Sequence, residues 1–227
     1  AVTTAICYAN IIEEEAVEQI RRMCDQEFTK DCQVRIMPDV HAGKGCTIGT
    51  TMTVKDKAVP NVVGVDIGCG MYTVNLGKQE IDLERFDAAC HFVPSGMRAW
   101  EGRQERFPLT ELRCYRSLER TKWIERSLGT LGGGNHFIEL DRDETGTLYA
   151  AVHSGSRSLG KTVTEYYLSE GQKALKKQNL SVPYEMTYLE GNLMEQYLHD
   201  VQIVQEYAKW NRIAILDELI KGMKWKT

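Results

Sequence analysis

Ile12, Ala16, Ile20 and Cys24 recur at steps of four, with Val17 and Met23 beside them and Glu13, Glu14 and Glu15 at one end. That spacing predicts an amphipathic helix over 11–28, its acidic end suited to the positive pole of the helix dipole. Further on the period changes. Val34-Arg35-Ile36-Met37 predicts a strand ending at Pro38, and 50–54 and 71–76 predict two more. Val62, Val63 and Val65 predict a buried strand running into Asp66, flanked by those two. Helical spacing returns over 81–89, 161–177 and 192–223, with a turn at 91–96 and a polar connector holding Pro183 at 181–191. In the last helix Met194, Leu198, Val201, Val204, Tyr207 and Ala208 form an apolar face, continued by Ile213, Leu216 and Leu219. The pattern predicts an α+β fold: a β-rich, sandwich-like central core carrying functional groups at strand ends, with helices around it. No internal repeat or low-complexity segment interrupts a single domain over 1–227.

Composition narrows the class. At 227 residues, 42% hydrophobic and 26% charged, the chain can bury a core without disulfides. A net charge of −4 removes any overall basic character that would announce nucleic acid. Seven scattered cysteines, an odd number without framework spacing, point to a reducing cytoplasm where thiols serve as core residues or ligands. No apolar run is long enough to span a bilayer, and no cationic-then-apolar leader opens the chain, so a cytoplasmic protein is expected.

Residues 98–126 carry arginines (Arg98, Arg103, Arg106, Arg113, Arg116, Arg120, Arg126) interleaved with Glu101, Glu105, Glu111, Glu119 and Glu125. Trp100, Phe107, Tyr115 and Trp123 lie among them. Such a segment can offer a basic face to a phosphate backbone with aromatics for stacking. The interleaved glutamates favour a solvated helix laced with i,i+4 pairs.

Four glycine-punctuated stretches carry the candidate chemistry. In Val-Gly-Val-Asp-Ile-Gly-Cys-Gly-Met, Asp66 and Cys69 stand three apart in a turn, either half of a metal site or an exposed Asp beside a structural Cys. Leu131-Gly132-Gly133-Gly134-Asn135-His136 and Val152-His153-Ser154-Gly155-Ser156-Arg157 each set a histidine beside glycines and a short apolar run. Thiolate, imidazole and carboxylate together suit a borderline divalent ion such as Zn²⁺, and a carboxylate shared between ions suits Mn²⁺. The spacing is not that of a zinc finger, so the fold has to assemble the site. The 38–49 loop, with Asp39, His41 and Lys44, either cradles a phosphate, sets Asp39 beside a reacting group, or is a surface turn. His91 reads as structural and His199 as a surface histidine.

Taken together and in order, these stretches resemble the RtcB family of GTP- and manganese-dependent RNA-splicing ligases, from about residue 34 onward. The resemblance implies joining of RNA ending in a 2′,3′-cyclic phosphate or 3′-phosphate to RNA with a 5′-OH. A histidine is first guanylylated by GTP, the guanylate passes to the RNA 3′-phosphate, and the 5′-OH attacks. Carried over by motif, Cys69 would bridge two Mn²⁺ ions, with His136 and His153 on one and Asp66 on the other. Asn135, Phe137 and Glu139 would sit against the guanylate, Asp39 near it, and Arg157 on an RNA phosphate. A further metal-binding histidine and the guanylylated one are implied beyond a helical segment like 192–225. Only His41, His91 and His199 remain, and none lies in a matching motif. The expectation is the N-terminal part of a ligase, C-terminally incomplete and lacking the guanylyl acceptor. Two rival classes stay open: a metal-dependent phosphoesterase that opens cyclic phosphates without GTP, and a non-catalytic metal- or RNA-binding module.

Overall fold

A computed structural model describes residues 1–226. The chain has the mixed α+β class, with its strands divided between two three-stranded sheets. It forms two compact units, one from 1–65 and 164–198, the other from 66–163 and 199–226.

In the first unit β1 (Ala5–Cys7), β2 (Val34–His41) and β3 (Ile48–Met52) lie in that order. β1 runs parallel to β2, which requires a crossover, and α1 (Glu14–Cys24) supplies it. Its buried stripe is Ala16, Gln19, Met23 and Cys24, packed with Phe28, Val34, Ile36, Val40 and Val59. Gln19 is the polar member, and its amide closes a two-way pair with the Gly43 peptide: Nε2 donates to the carbonyl (2.8 Å) and Oε1 accepts the N–H (3.1 Å). β2 does not stop at Pro38. It continues to His41, with its pairing to β3 broken between Ile36 and His41, where a residue without an N–H does not cost a ladder bond.

The expected strand at 62–65 is corrected: the chain there forms the one-turn helix α2 (Pro60–Val63). Pro60 presets φ at the first helical position, and Gly64, at φ +99, ends the turn at once. Val63 and Val65 are exposed accordingly.

The second unit holds β4 (Gly70–Gly77), β5 (Phe137–Arg142) and β6 (Leu148–Ser154), with β6 in the middle and both pairings antiparallel. Leu148, Ala150 and Val152 face the core with Leu76, against Ile215, Leu216 and Leu219 of α6 (Gly191–Met223). Strand alternation puts Met71, His153 and Phe137, which sit opposite one another in register, on the other face. α3 (Leu83–Phe92) is capped by the Asp82 carboxylate, which accepts the Arg85 N–H (2.9 Å). The helix runs through His91 and Phe92, where a turn was expected.

The long solvated helix expected over 98–126 is also corrected. Only α4 (Thr121–Ser127) is α-helical there, preceded by single 3₁₀ turns at Leu109–Glu111 and Tyr115–Ser117. Pro108 breaks the ladder, and burial of Phe107, Leu109, Leu112 and Cys114 outweighs the i,i+4 charge pattern. The fully buried Asp200 carboxylate anchors the segment by accepting N–H groups of Arg113 (2.7 Å) and Cys114 (3.1 Å). α5 (Arg157–Lys177) and α6 match the two helices expected in that part of the chain. On α6 the buried stripe is Tyr197, Val204, Tyr207, Ala208, Asn211, Ile215 and Leu219, whereas Leu198 is 46% exposed. All seven cysteines are free thiols. Among the described residues no helix is long and apolar enough to cross a membrane.

Candidate metal centre

All the residues of this centre belong to the second unit. Asp66 to Cys69 is a tight turn closed by the Cys69 N–H on the Asp66 carbonyl (3.1 Å). Ile67, 2% exposed, pins it to the core, so that Cys69 is left exposed and Asp66 half-buried. Gly68 has φ +77, a conformation that a side chain resists. The loop before β5 carries His136, and His153 comes from the end of β6.

The ligand atoms of Asp66, Cys69 and His136 all lie within 4.8 Å of one another. His136 Nε2 is 2.9 Å from Asp66 Oδ2 and 3.6 Å from Cys69 Sγ. His153 joins through the thiol, its Nε2 3.1 Å from Sγ. The imidazoles are oriented from behind. Nδ1 of His136 meets the Leu131 carbonyl (2.9 Å), and Nδ1 of His153 meets the Asn135 carbonyl (3.0 Å). A carbonyl only accepts, so each Nδ1 carries the proton and each Nε2 turns toward the sulfur. This backing by main-chain carbonyls is how metal-binding histidines are held. Asp66 is steadied by the Ser156 N–H on Oδ1 (3.0 Å). Gly155 is required beside it, because any Cβ there would occupy the space of the Asp66 carboxylate.

The electrostatics favour a proton on His136. Hydrogen bonds to Asp66 and then to Cys69 push His136 up to about 10. Burial works to raise Asp66, but hydrogen bonds from His136 and Cys69 outweigh it and hold the carboxyl below its usual range. The donor set fits a divalent ion: soft sulfur, imidazole nitrogen and carboxylate oxygen, with a cationic site already formed by the proton on His136. The signs predict opposite pH profiles for apo and loaded protein. His136 titrates near 10 when folded and 6.5 when unfolded, so its stabilising contribution is full below pH 6.5 and is lost as pH rises through 10. The Asp66 contribution is lost only as pH falls below 3.8. Melting temperatures of the apo protein are therefore expected to fall between pH 6.5 and 10. Mn²⁺ affinity is expected to rise over the same interval, because the ion displaces that proton. A pH series of thermal melts with and without Mn²⁺ checks both.

The other residues singled out from the sequence are placed as follows. Arg157 begins α5 at φ +54 and points inward. Its Nε donates to Thr130 Oγ1 (3.1 Å) and one Nη to the Gly96 carbonyl (2.8 Å), in space left open by Gly132. The Phe137 ring lies tilted against the His153 ring, centroids 5.3 Å apart, and Asn135 and Glu139 are exposed on either side of Phe137 in the chain. Asp39 is an exposed residue of β2 in the first unit. Of the remaining histidines, His41 also lies in the first unit and donates from Nδ1 to the Asp39 carbonyl (2.8 Å), while His199 pairs with Asp200 (3.0 Å). Sequence reasoning passed over Asn211 and Arg212, described below. The signal was a polar residue at 211 within the stripe of 204, 207, 208 and 215, where a buried polar group needs a reason.

Comparison with known proteins bears on this geometry. The family model described as "tRNA-splicing ligase RtcB" matches residues 19–115 and 115–225. The chain is 30% identical to RNA-splicing ligase RtcB of Escherichia coli strain K12, over 94% of its own length and 58% of that relative's. It is 28% identical to tRNA-splicing ligase RtcB of Thermococcus kodakarensis, over 79% of its own length and 49% of that protein's. The chain thus spans about half the length of these curated relatives.

Proposed function

Because the chain belongs to the RtcB family, we propose that it supplies the metal-binding part of an RNA ligase. The ligase would join 2′,3′-cyclic phosphate or 3′-phosphate ends to 5′-OH ends by way of GTP and a guanylylated histidine. The observation that carries this reading is the placing of Cys69 Sγ between the Nε2 atoms of His136 and His153, with Asp66 against His136.

Asp66, Cys69, His136 and His153 would hold the Mn²⁺ ions. Bound ions of this kind lower the cost of charge on the attacking and leaving oxygens of phosphoryl transfer. The chain's own groups set up that chemistry. The carbonyls of Leu131 and Asn135 keep both imidazoles in the tautomer that offers Nε2. Ser156 holds the Asp66 carboxylate, and exposure of Cys69 leaves its sulfur open to the solvent side, where substrate would arrive. Phe137, packed on His153, offers an apolar face to a guanine, with Asn135 and Glu139 beside it for polar contacts. Arg157, with Nε and one Nη held by Thr130 and Gly96, would have its remaining N–H groups for an RNA phosphate, and a catalytic part is proposed for Asp39 from the resemblance alone. The guanylylated histidine is proposed not to be among the five in this chain, since only His136 and His153 stand at the centre and both have Nε2 committed to it.

Intact mass after incubation with GTP and Mn²⁺ tests the reading, alongside Mn²⁺ binding. The expected result is Mn²⁺ binding by the chain without a guanylate adduct. An adduct would overturn the assignment of the acceptor histidine, and absence of Mn²⁺ binding would overturn the metal assignment. Opening of a 2′,3′-cyclic phosphate without GTP would favour the phosphoesterase reading instead.

A further inference from the structure

The three ligand segments of the centre come from distant parts of the chain: the 66–69 turn, the 129–136 loop and residues 153–156 at and just past the end of β6. Where the chain leaves regular structure, its N–H and C=O groups still need partners. Two consecutive side chains of α6 meet them. Asn211, fully buried, accepts the N–H groups of Gly129 (2.7 Å) and Thr130 (3.0 Å) through Oδ1. Through Nδ2 it donates to the Thr130 carbonyl (3.1 Å), Ser154 Oγ (3.0 Å) and the Gly155 carbonyl (3.1 Å). Arg212, half-buried, uses Nη1 to donate to the Gly68 carbonyl (2.7 Å) and the Ser154 carbonyl (2.9 Å). Those carbonyls immediately precede Cys69 and follow His153 in the chain. The turn also lies on α6 by its backbone: a Cβ at Gly68 would stand 2.9 Å from Gln205 Cα and 3.0 Å from Ala208 Cβ.

We propose that Asn211 and Arg212 are positioning residues of the metal centre, with Arg212 tying the Cys69 turn to the His153 strand end and Asn211 tying the loop that leads to His136 to that same end. The inference rests on the metal reading above. Neither side chain offers an atom to an ion. Their part is to fix three separately folded segments in one register, which a site assembled by the fold from residues 66, 69, 136 and 153 requires. Ser154 is the shared node, since its Oγ also donates to the Leu131 carbonyl (2.8 Å), the same oxygen that orients His136.

Positioning and plain electrostatics predict opposite signs for loss of Arg212. A guanidinium close to Asp66 and Cys69 repels a metal cation, so removing its charge should tighten binding if charge alone mattered. If Arg212 holds the ligands in place, its loss weakens binding by roughly 10–100-fold, the range for residues that orient metal ligands. The test is Co²⁺ titration of the wild-type chain, Arg212→Met and Arg212→Lys, read by the thiolate-to-cobalt charge-transfer band, with melts to follow folding. Weaker binding and a diminished band are expected in Arg212→Met, with partial recovery in Arg212→Lys, whose ammonium keeps the charge and part of the hydrogen bonding. Wild-type or tighter binding with an unchanged band in Arg212→Met overturns the proposal. If Arg212→Met does not fold, Arg212→Lys carries the test by itself: weaker binding supports the proposal and wild-type binding overturns it. Failure of the wild-type chain to bind Co²⁺ overturns the metal reading and this inference together, whereas wild-type binding unaltered by either substitution overturns only the positioning role.

Discussion

Replacing Cys69 by alanine is expected to abolish divalent-metal binding while leaving the melting temperature of the apo chain nearly unchanged. The two halves of that expectation have separate causes. Cys69 is exposed, so little packing is lost with its sulfur, and its solvent-side hydrogen bonding to the two imidazoles is worth about 1 kcal/mol, a few degrees at most. Binding is different, because Sγ is the atom that both Nε2 groups approach, at 3.6 and 3.1 Å. Removing it takes away the atom around which the proposed ligands gather, and the loss should exceed the roughly 100-fold upper range seen when only an orienting residue is lost. Mn²⁺ titration followed by the electron paramagnetic resonance of the free ion measures the first half, and thermal denaturation in the presence of chelator measures the second. Retained Mn²⁺ binding in Cys69→Ala would mean that the thiol is not a ligand.

Asn211→Leu is expected to have the largest effect on stability in the second unit. Leucine has similar bulk, so the cavity cost is small and the loss is of hydrogen bonds. Four backbone groups lose the partner that Asn211 provides: the N–H groups of Gly129 and Thr130 and the carbonyls of Thr130 and Gly155. A buried group left without a partner costs about 1–3 kcal/mol, so the four together cost about 4 kcal/mol even at the low end of that range. For a chain of this size that corresponds to a fall in melting temperature of about 10 °C or more. Differential scanning calorimetry checks it, and a shift of less than a few degrees would show that the network relaxes onto other partners.

Several assignments were legible in the residues, and the reasons are local. α1, α5 and α6 were visible because their apolar residues recur at helical spacing over many turns. β3 and β4 were visible as short β-rich runs over 50–54 and 71–76. Candidate ligands were legible because a carboxylate, a thiol and two histidines each stood in a glycine-rich stretch, where a backbone can approach closely without side-chain bulk. Two misreadings came from the same physics. At 62–65 the β-branched valines argued for a strand, and one proline at the first helical position, Pro60, reversed the outcome. Over 98–126 alternating charges argued for a solvated helix, whereas Pro108 and the burial of Phe107, Leu109 and Leu112 pulled the segment into irregular turns.

The sequence alone therefore determined the element types of the long periodic segments, the α+β class and the list of residues able to bind a metal, since propensity, period and ligand chemistry are properties of short stretches. Tertiary structure alone decided which of those residues meet: His136 reaches Asp66 across seventy positions and His153 reaches Cys69 across eighty-four. It also assigned a task to Asn211 and Arg212, which in the sequence are two polar residues in a long helix. Contacts of that range depend on how helix and sheet pack, and packing is fixed by the whole core rather than by any window of the chain.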